Sequence, residues 1–270
     1  MTNETFKAAV AIDAADAILI TAGAGMGVDS GLPDFRGNDG FWNAYPPYKR
    51  LNVAFADMAS PDWFRKDPAF AWGFYGHRRN LYRQTMPHYG YGVLRRIAEK
   101  KDHFVFTSNV DTAFERASFD KDRIVECHGS IEWNQCTRIC GAGITPADDE
   151  TVEIDDGPMR AVGDLPSCPG CGGLARPNIM MFGDPFWDKR RTEAQLEKLY
   201  AWLKTVSNIV VVECGAGVAI PTVRELSERI GSLGRLVRIN PRDPGAPDGA
   251  ISIESGACKA LTTIEHYING

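Results

Sequence analysis

The reactive side chains of this sequence fall into a few short stretches. Cys136 and Cys140 are separated by three residues and Cys168 and Cys171 by two, with a long loop between the pairs. Thiolate pairs at such spacings hold tetrahedral zinc, and Cys168-Pro169-Gly170-Cys171-Gly172 has the turn chemistry of a zinc knuckle. Four thiolates leave the metal no open position, so one structural ion is expected to staple the fold without reacting. His128 stands between the apolar stretch 123–127 and Gly129. There an imidazole, titrating near neutral pH, would serve as a general base, although a lone histidine is ordinarily structural. Asn109 and Asp111 follow another apolar run, where such residues either meet a ligand or close their own turn. Tyr75 and Arg78, three residues apart, would share a helix face, and a hydroxyl beside a guanidinium suits a carboxylate.

The elements that must position these groups begin with the apolar run 17–21, a buried strand by composition, which feeds Gly23-Ala24-Gly25-Met26-Gly27. Glycines there let backbone approach a pyrophosphate closely, although a glycine triplet alone also makes an ordinary tight turn. The acidic residue that holds a ribose about 20 residues further on in dehydrogenases is missing: Asn43-Ala44-Tyr45-Pro46-Pro47 occupies that region. Hydride transfer is therefore disfavoured. Further strand-like runs lie at 103–108, 123–127, 207–214, 235–240 and 250–253, with helical patterns at 91–101 and 192–206. Continuous apolar strands alternating with amphipathic helices predict an α/β protein with a doubly wound, Rossmann-like parallel sheet. Segments 37–87 and 129–182 break that rhythm and return to it, as insertions forming a smaller helical and zinc-binding domain would. The expected division is 1–37, 88–128 and 183–270 for the sheet domain, with 38–87 and 129–182 for the small one.

Composition narrows the setting. With 270 residues, 44% hydrophobic, the chain can bury a substantial core. No apolar run approaches the roughly 20 residues that span a bilayer, and the first residues lack a signal-peptide pattern. A net charge of −5 provides no general field for nucleic acid. Seven cysteines, four of them in close pairs, favour metal over disulfides and a reducing compartment. A soluble cytoplasmic protein without nucleic-acid or membrane partners is expected.

Gly31-Leu32-Pro33-Asp34-Phe35-Arg36-Gly37 resembles the sirtuin family, the NAD-dependent protein deacylases. The resemblance continues in order through Thr107-Ser108-Asn109-Val110-Asp111, Cys127-His128-Gly129, the cysteine pairs, Arg176-Pro177-Asn178-Ile179-Met180-Met181-Phe182-Gly183-Asp184, Cys214-Gly215-Ala216-Gly217 and Arg238-Ile239-Asn240. It implies a cleft between the two domains in which NAD is consumed, with release of nicotinamide and transfer of an acyl group from lysine to ADP-ribose. Carried over residue by residue, His128 would deprotonate a ribose hydroxyl, and Asn109 and Asp111 would hold the ribose and the nicotinamide amide. Gly23, Ala24, Gly25, Met26, Asp34, Phe35, Arg36, Ser108, Gly215, Ala216, Gly217, Asn240 and Cys258 would line the cofactor. Met180, Met181, Phe182 and Gly183 would take the acyl-lysine peptide as an added strand. Tyr75 and Arg78 match the Tyr-x-x-Arg signature of the sirtuins that remove succinyl, malonyl or glutaryl groups.

Four positions depart from the family pattern: Gly27 and Gly217 stand where serines are usual, Ser108 where glutamine is, and Asp184 where glutamate is. A lost side-chain hydrogen bond is worth about 0.5–1.5 kcal/mol. These departures leave open two alternatives to deacylation: an ADP-ribosyltransferase or NAD hydrolase on the same fold, or a non-enzymatic NAD or ADP-ribose sensor.

Overall fold

The computed structural model describes residues 3–33, 37–148, 150–232 and 234–270. Its main sheet is six-stranded and parallel, built from β1 (Ala17–Ala22), β2 (Asp102–Thr107), β3 (Ile124–Glu126), β9 (Ile209–Cys214), β10 (Arg235–Ile239) and β11 (Ile251–Ile253). Their spatial order is β11-β10-β9-β1-β2-β3. Central strands of such a sheet are covered on both faces, which explains the uninterrupted apolar runs. β1 and β9 are buried at every position. Their side chains alternate between two cores: Ile18, Ile20, Val210 and Val212 enter one, Ala17, Leu19, Ile209 and Val211 the other. The first face is packed by α1 (Asn3–Asp13), α7 (Tyr89–Ala98) and α11 (Ala257–Asn269), the second by α9 (Arg190–Leu203) and α10 (Thr222–Gly231).

The ends of these elements differ from the sequence expectation by a few residues. The strand expected at 123–127 is only Ile124–Glu126, because Lys121–Arg123 is a 3₁₀ turn capped by the Asp120 carboxylate. The strand expected from 207 begins at Ile209, after Asn208 turns the chain at a left-handed φ of 45°. α7 starts earlier than 91 because His88 Nδ1 accepts the Gly90 amide at 3.0 Å, a side-chain cap on its first turn. α9 covers Arg190–Leu203 where 192–206 was expected.

A third core is separate from the sheet. It gathers Phe41, Tyr45, Tyr48, Phe64, Phe70, Trp72, Phe74, Tyr75, Ile131, Met159 and Met181. Helices α2 (Gly37–Ala44), α3 (Pro46–Arg50), α4 (Phe55–Met58), α5 (Trp63–Lys66) and α6 (Pro68–Gln84) pack there against two small antiparallel sheets. One sheet is β5-β4-β8, formed by β5 (Ile144–Pro146), β4 (Gly129–Cys136) and β8 (Ala175–Ile179); the other pairs β6 (Glu153–Asp155) with β7 (Arg160–Val162). Asp67 fixes the start of α6 by accepting the Phe70 amide, with Pro68 in the first turn where no amide is needed. A short helix, α8 (Ala113–Arg116), follows β2. Among the described residues no helix is long and apolar enough to cross a membrane.

Candidate active site

The sheet reverses its direction of growth at β1, so a crevice opens at the carboxyl ends of β1, β2 and β9. Two glycine loops meet there. Gly23 and Gly25 donate their amides to the Cys214 and Gly215 carbonyls at 3.0 Å each. A Cβ on Gly23 would lie 2.7 Å from Ala216 Cα, one on Gly25 2.8 Å from Gly215 Cα, and one on Gly215 2.3 Å from Gly25 C and Met26 N. These glycines are therefore required by backbone-to-backbone packing of the loops, before any ligand is considered. The first loop runs on through two 3₁₀ turns, Ala24–Met26 and Val28–Ser30, in place of a long helix.

Around this junction lies a cavity of about 360 Å³. Gly23, Ala24, Gly25, Ser108, Asn109, Asp111, His128, Gly215 and Gly217 line it from the sheet side. Asn109 is buried, and its Nδ2 donates to the Gly23 carbonyl at 3.1 Å while its backbone amide donates to Thr107 Oγ1 at 3.0 Å. That side chain thus locks the glycine loop onto the end of β2. Asp111 Oδ1 accepts the Ala113 amide at 2.9 Å. Burial pushes its carboxyl pKa up, opposed by that amide and by the Arg78 and Arg116 guanidinium groups.

His128 lies in the turn between β3 and β4. The turn is held at both ends: Cys127 donates its amide to the Thr107 carbonyl, and the His128 carbonyl accepts from Met180, each at 2.9 Å. Its Nε2 is buried without a hydrogen-bond partner among the described residues. Desolvation alone holds the imidazole pKa below its ordinary value. A neutral imidazole, fixed by its backbone and with one nitrogen unpartnered among the described residues, is chemically able to accept a proton.

The opposite wall carries Tyr75, Arg78, Met180, Met181 and Phe182. Tyr75 and Arg78 do share a face of α6, and both are buried. The Arg78 guanidinium sits 5.2 Å from the Phe74 ring centre and 5.3 Å from that of Tyr82. Met180 and Phe182 have exposed side chains, Met181 a buried one, and the Phe182 amide donates to the Ala59 carbonyl at 2.9 Å. Arg176 fastens this segment from below: it pairs with Asp184 at 2.7 Å and lies 3.4 Å from Met181 Sδ.

Several residues singled out in the sequence stand elsewhere. Met26 belongs to the sheet core, and its carbonyl meets His88 Nε2 at 2.9 Å. Ala216 is buried in the second core, and its carbonyl accepts from Asn240 Nδ2 at 2.8 Å. Asn240 is itself fully buried and acts behind the second glycine loop. The Cys258 amide donates to Asp29 Oδ2 at 2.7 Å, which fixes α11 beside the first loop. Gly183, at a left-handed φ of 63°, turns the chain just past the cavity. Asp34, Phe35 and Arg36 lie outside the described residues.

The cavity wall also holds residues not singled out in the sequence: Tyr82, Phe55, Ala59, Ile179 and Ile220. Tyr82 had a signal, since it lies one helical turn beyond Arg78 on the same face. Ile179 stands next to the singled-out Met180, whereas Phe55, Ala59 and Ile220 carried none, because they reach the wall from segments without a motif of their own.

The four cysteines converge as a group. Cys136 and Cys171 Sγ are 3.6 Å apart, Cys140 and Cys168 Sγ 3.5 Å, and all four sulfurs fall within 4.8 Å of one another. A tetrahedron with Zn–S bonds of about 2.3 Å has edges of about 3.8 Å, so the set fits one zinc ion. The Arg138 and Gly173 amides point at Cys136 and Cys171 Sγ, as backbone donors do around bound thiolates.

Comparison with known proteins agrees with this architecture. A model of the Sir2 family matches residues 23–219. NAD-dependent protein deacylase 2 of Pyrobaculum aerophilum is 32% identical, over 82% of this chain and 78% of that protein. The NAD-dependent protein deacylase of Aeropyrum pernix is 29% identical, over 86% of this chain and 83% of that protein. Among solved structures, a Sir2 homologue in complex with ADP-ribose superposes with a TM-score of 0.73 at 24% identity, covering all of this chain and 97% of the other.

Proposed function

The chain belongs to the Sir2 family and is an NAD-dependent protein deacylase of sirtuin type, and on that basis we propose that it removes acidic acyl groups, succinyl or malonyl, from lysine. NAD supplies the ADP-ribose that accepts the acyl group, with nicotinamide leaving. In our reading His128 Nε2 takes a proton from a hydroxyl presented to it across the cavity. Asn109 keeps the glycine loop at the height the ribose requires, and Asp111 faces the nicotinamide end. The substrate lysine enters between Met181 and the loop holding Ile220, with the peptide backbone along 180–183. The segments 38–87 and 129–182 supply the acyl wall and hold the structural zinc.

The acidic preference rests on one observation, a buried guanidinium beside Tyr75 on that wall. Burial pushes the Tyr75 phenol pKa up, so the hydroxyl remains a donor at neutral pH. A neutral acetyl group offers the guanidinium no charged partner, whereas a carboxylate would make charge-assisted bonds of about 1.5–3 kcal/mol.

Nicotinamide release, measured with acetyl-, malonyl- and succinyl-lysine versions of one peptide and without peptide, tests both levels. Release that depends on peptide and is fastest with an acidic acyl group is expected. Equal rates with acetyl and succinyl peptides would remove the acidic preference, and release independent of peptide would point to NAD hydrolysis or ADP-ribosyl transfer.

A further inference from the structure

We propose that Tyr82 is a specificity-determining residue of the acyl wall: its hydroxyl occupies the Nε–Nη2 edge of Arg78 and must give way before an acyl carboxylate can take that edge. The inference rests on the acidic-acyl reading above. Arg78 Nε donates to Tyr82 Oη at 3.0 Å and Nη2 to the same oxygen at 2.6 Å. Those two donors form an edge of the guanidinium that meets a carboxylate with two parallel bonds. One phenolic oxygen accepts both, and a hydroxyl has only two lone pairs, so it is saturated as an acceptor. It is also the poorer partner, because a carboxylate offers one charged oxygen to each donor.

The competition is built into the helix. Tyr82 follows Arg78 by four residues on α6, so the helix itself sets the phenol against the guanidinium. Both residues line the cavity and both are buried. Burial pushes the Tyr82 phenol pKa up, which leaves the oxygen neutral and unable to match a carboxylate in charge. Removing the hydroxyl leaves two buried donors without this acceptor in the free protein. A carboxylate can restore the bonds and acetyl cannot, so the acidic substrate gains relative to the neutral one.

The test compares kcat/KM for succinyl- and acetyl-lysine versions of one peptide in the wild type, Tyr82→Phe and Arg78→Met. Tyr82→Phe is expected to raise the succinyl-to-acetyl ratio about tenfold, the size of one net hydrogen bond to a charged group. Succinyl peptide should also raise its melting temperature by more than it raises that of the wild type. Arg78→Met is expected to lower the ratio. If Arg78→Met lowers it while Tyr82→Phe leaves it unchanged or lower, the role given to Tyr82 is overturned and the acidic-acyl reading stands. If Arg78→Met leaves it unchanged, both fall. Tyr82→Met, which also lacks the hydroxyl, should behave as Tyr82→Phe and covers a folding failure of that variant.

Discussion

Alanine at Gly215 and alanine at Gly217 should have very different consequences, although the two glycines lie two residues apart in one loop. Gly215 has a φ of 64°, where an alanine costs about 1–2 kcal/mol. Its Cβ would stand 2.3 Å from Gly25 C and Met26 N. Since Cβ contacts essentially never fall under 3.0 Å, one loop must retreat by at least 0.7 Å, from 3.0 − 2.3. Both colliding atoms are backbone, so no rotamer relieves the overlap, and overpacking of this kind costs about 1–3 kcal/mol more. The total of about 2–5 kcal/mol corresponds to a melting temperature lower by roughly 4–20 °C in a chain of this size. NAD affinity should fall as well, because the displaced loops form one wall of the cavity. A Cβ on Gly217 meets nothing within 4 Å, so Gly217→Ala should melt within a degree or two of the wild type. Scanning fluorimetry and calorimetric NAD titration of both variants check this. Equal losses in the two, or a native-like Gly215→Ala, would refute the view that loop-to-loop packing dictates the first glycines.

Two further outcomes follow from the site. His128→Ala should lower deacylation by about 10²–10⁴-fold while calorimetric NAD binding persists. Neutral imidazole is the active form and burial lowers its pKa, so activity should survive below the usual histidine value of about 6.5. It should be lost as pH falls through that lowered value. An acid limb of kcat/KM at or above 6.5 in the wild type would contradict this role. For the thiolate cluster, elemental analysis should find one zinc per chain and markedly less in Cys171→Ser, with a lower melting temperature. Full stability without zinc would sink the structural assignment.

The parallel sheet was legible because its inner strands are buried on both faces, so that 17–21 and 207–214 read as largely apolar runs, with the buried Glu213 of the second paired to Arg238. Their ends were less so, since single turn bonds decide them, such as the Asp120 carboxylate accepting the Asp122 amide ahead of β3. The cysteine cluster was legible from spacing alone, as four ligands in two close pairs leave few other readings. For the glycine loops sequence spoke to identity but not cause: it shows that 23, 25 and 215 are glycines, while the reason is a contact between segments almost 200 residues apart. Of the cavity wall that carries Tyr75 and Arg78, periodicity alone could group only the part on one helix, while Met180, Met181 and Phe182 were singled out by the family resemblance. Tyr75 and Arg78 share a periodicity, and Tyr82 completes it, but nothing periodic links α6 to Phe55, Met181 or Ile220.

The thiolate cluster is tied mechanically to α6. The helix that carries Tyr75, Arg78 and Tyr82 is fastened to the strands that lead into the thiolate cluster. Trp72 Nε1 donates to the Ala175 carbonyl at 3.0 Å, at the start of β8, shortly after Cys171. Arg79 is wholly buried; it donates to the Ile131 carbonyl at 3.0 Å and to Asn134 Oδ1 at 2.7 Å, both on β4, which ends at Cys136. Arg83 adds a bond to Glu132 Oε1 at 2.9 Å on the same strand. A buried guanidinium stripped of its acceptors costs several kcal/mol, so β4 cannot loosen without moving α6. Loss of the metal is therefore expected to disturb the cavity wall carried by α6, and with it the acyl selectivity proposed above; a zinc-depleted protein whose succinyl-to-acetyl ratio matched that of the zinc-loaded one would refute this link.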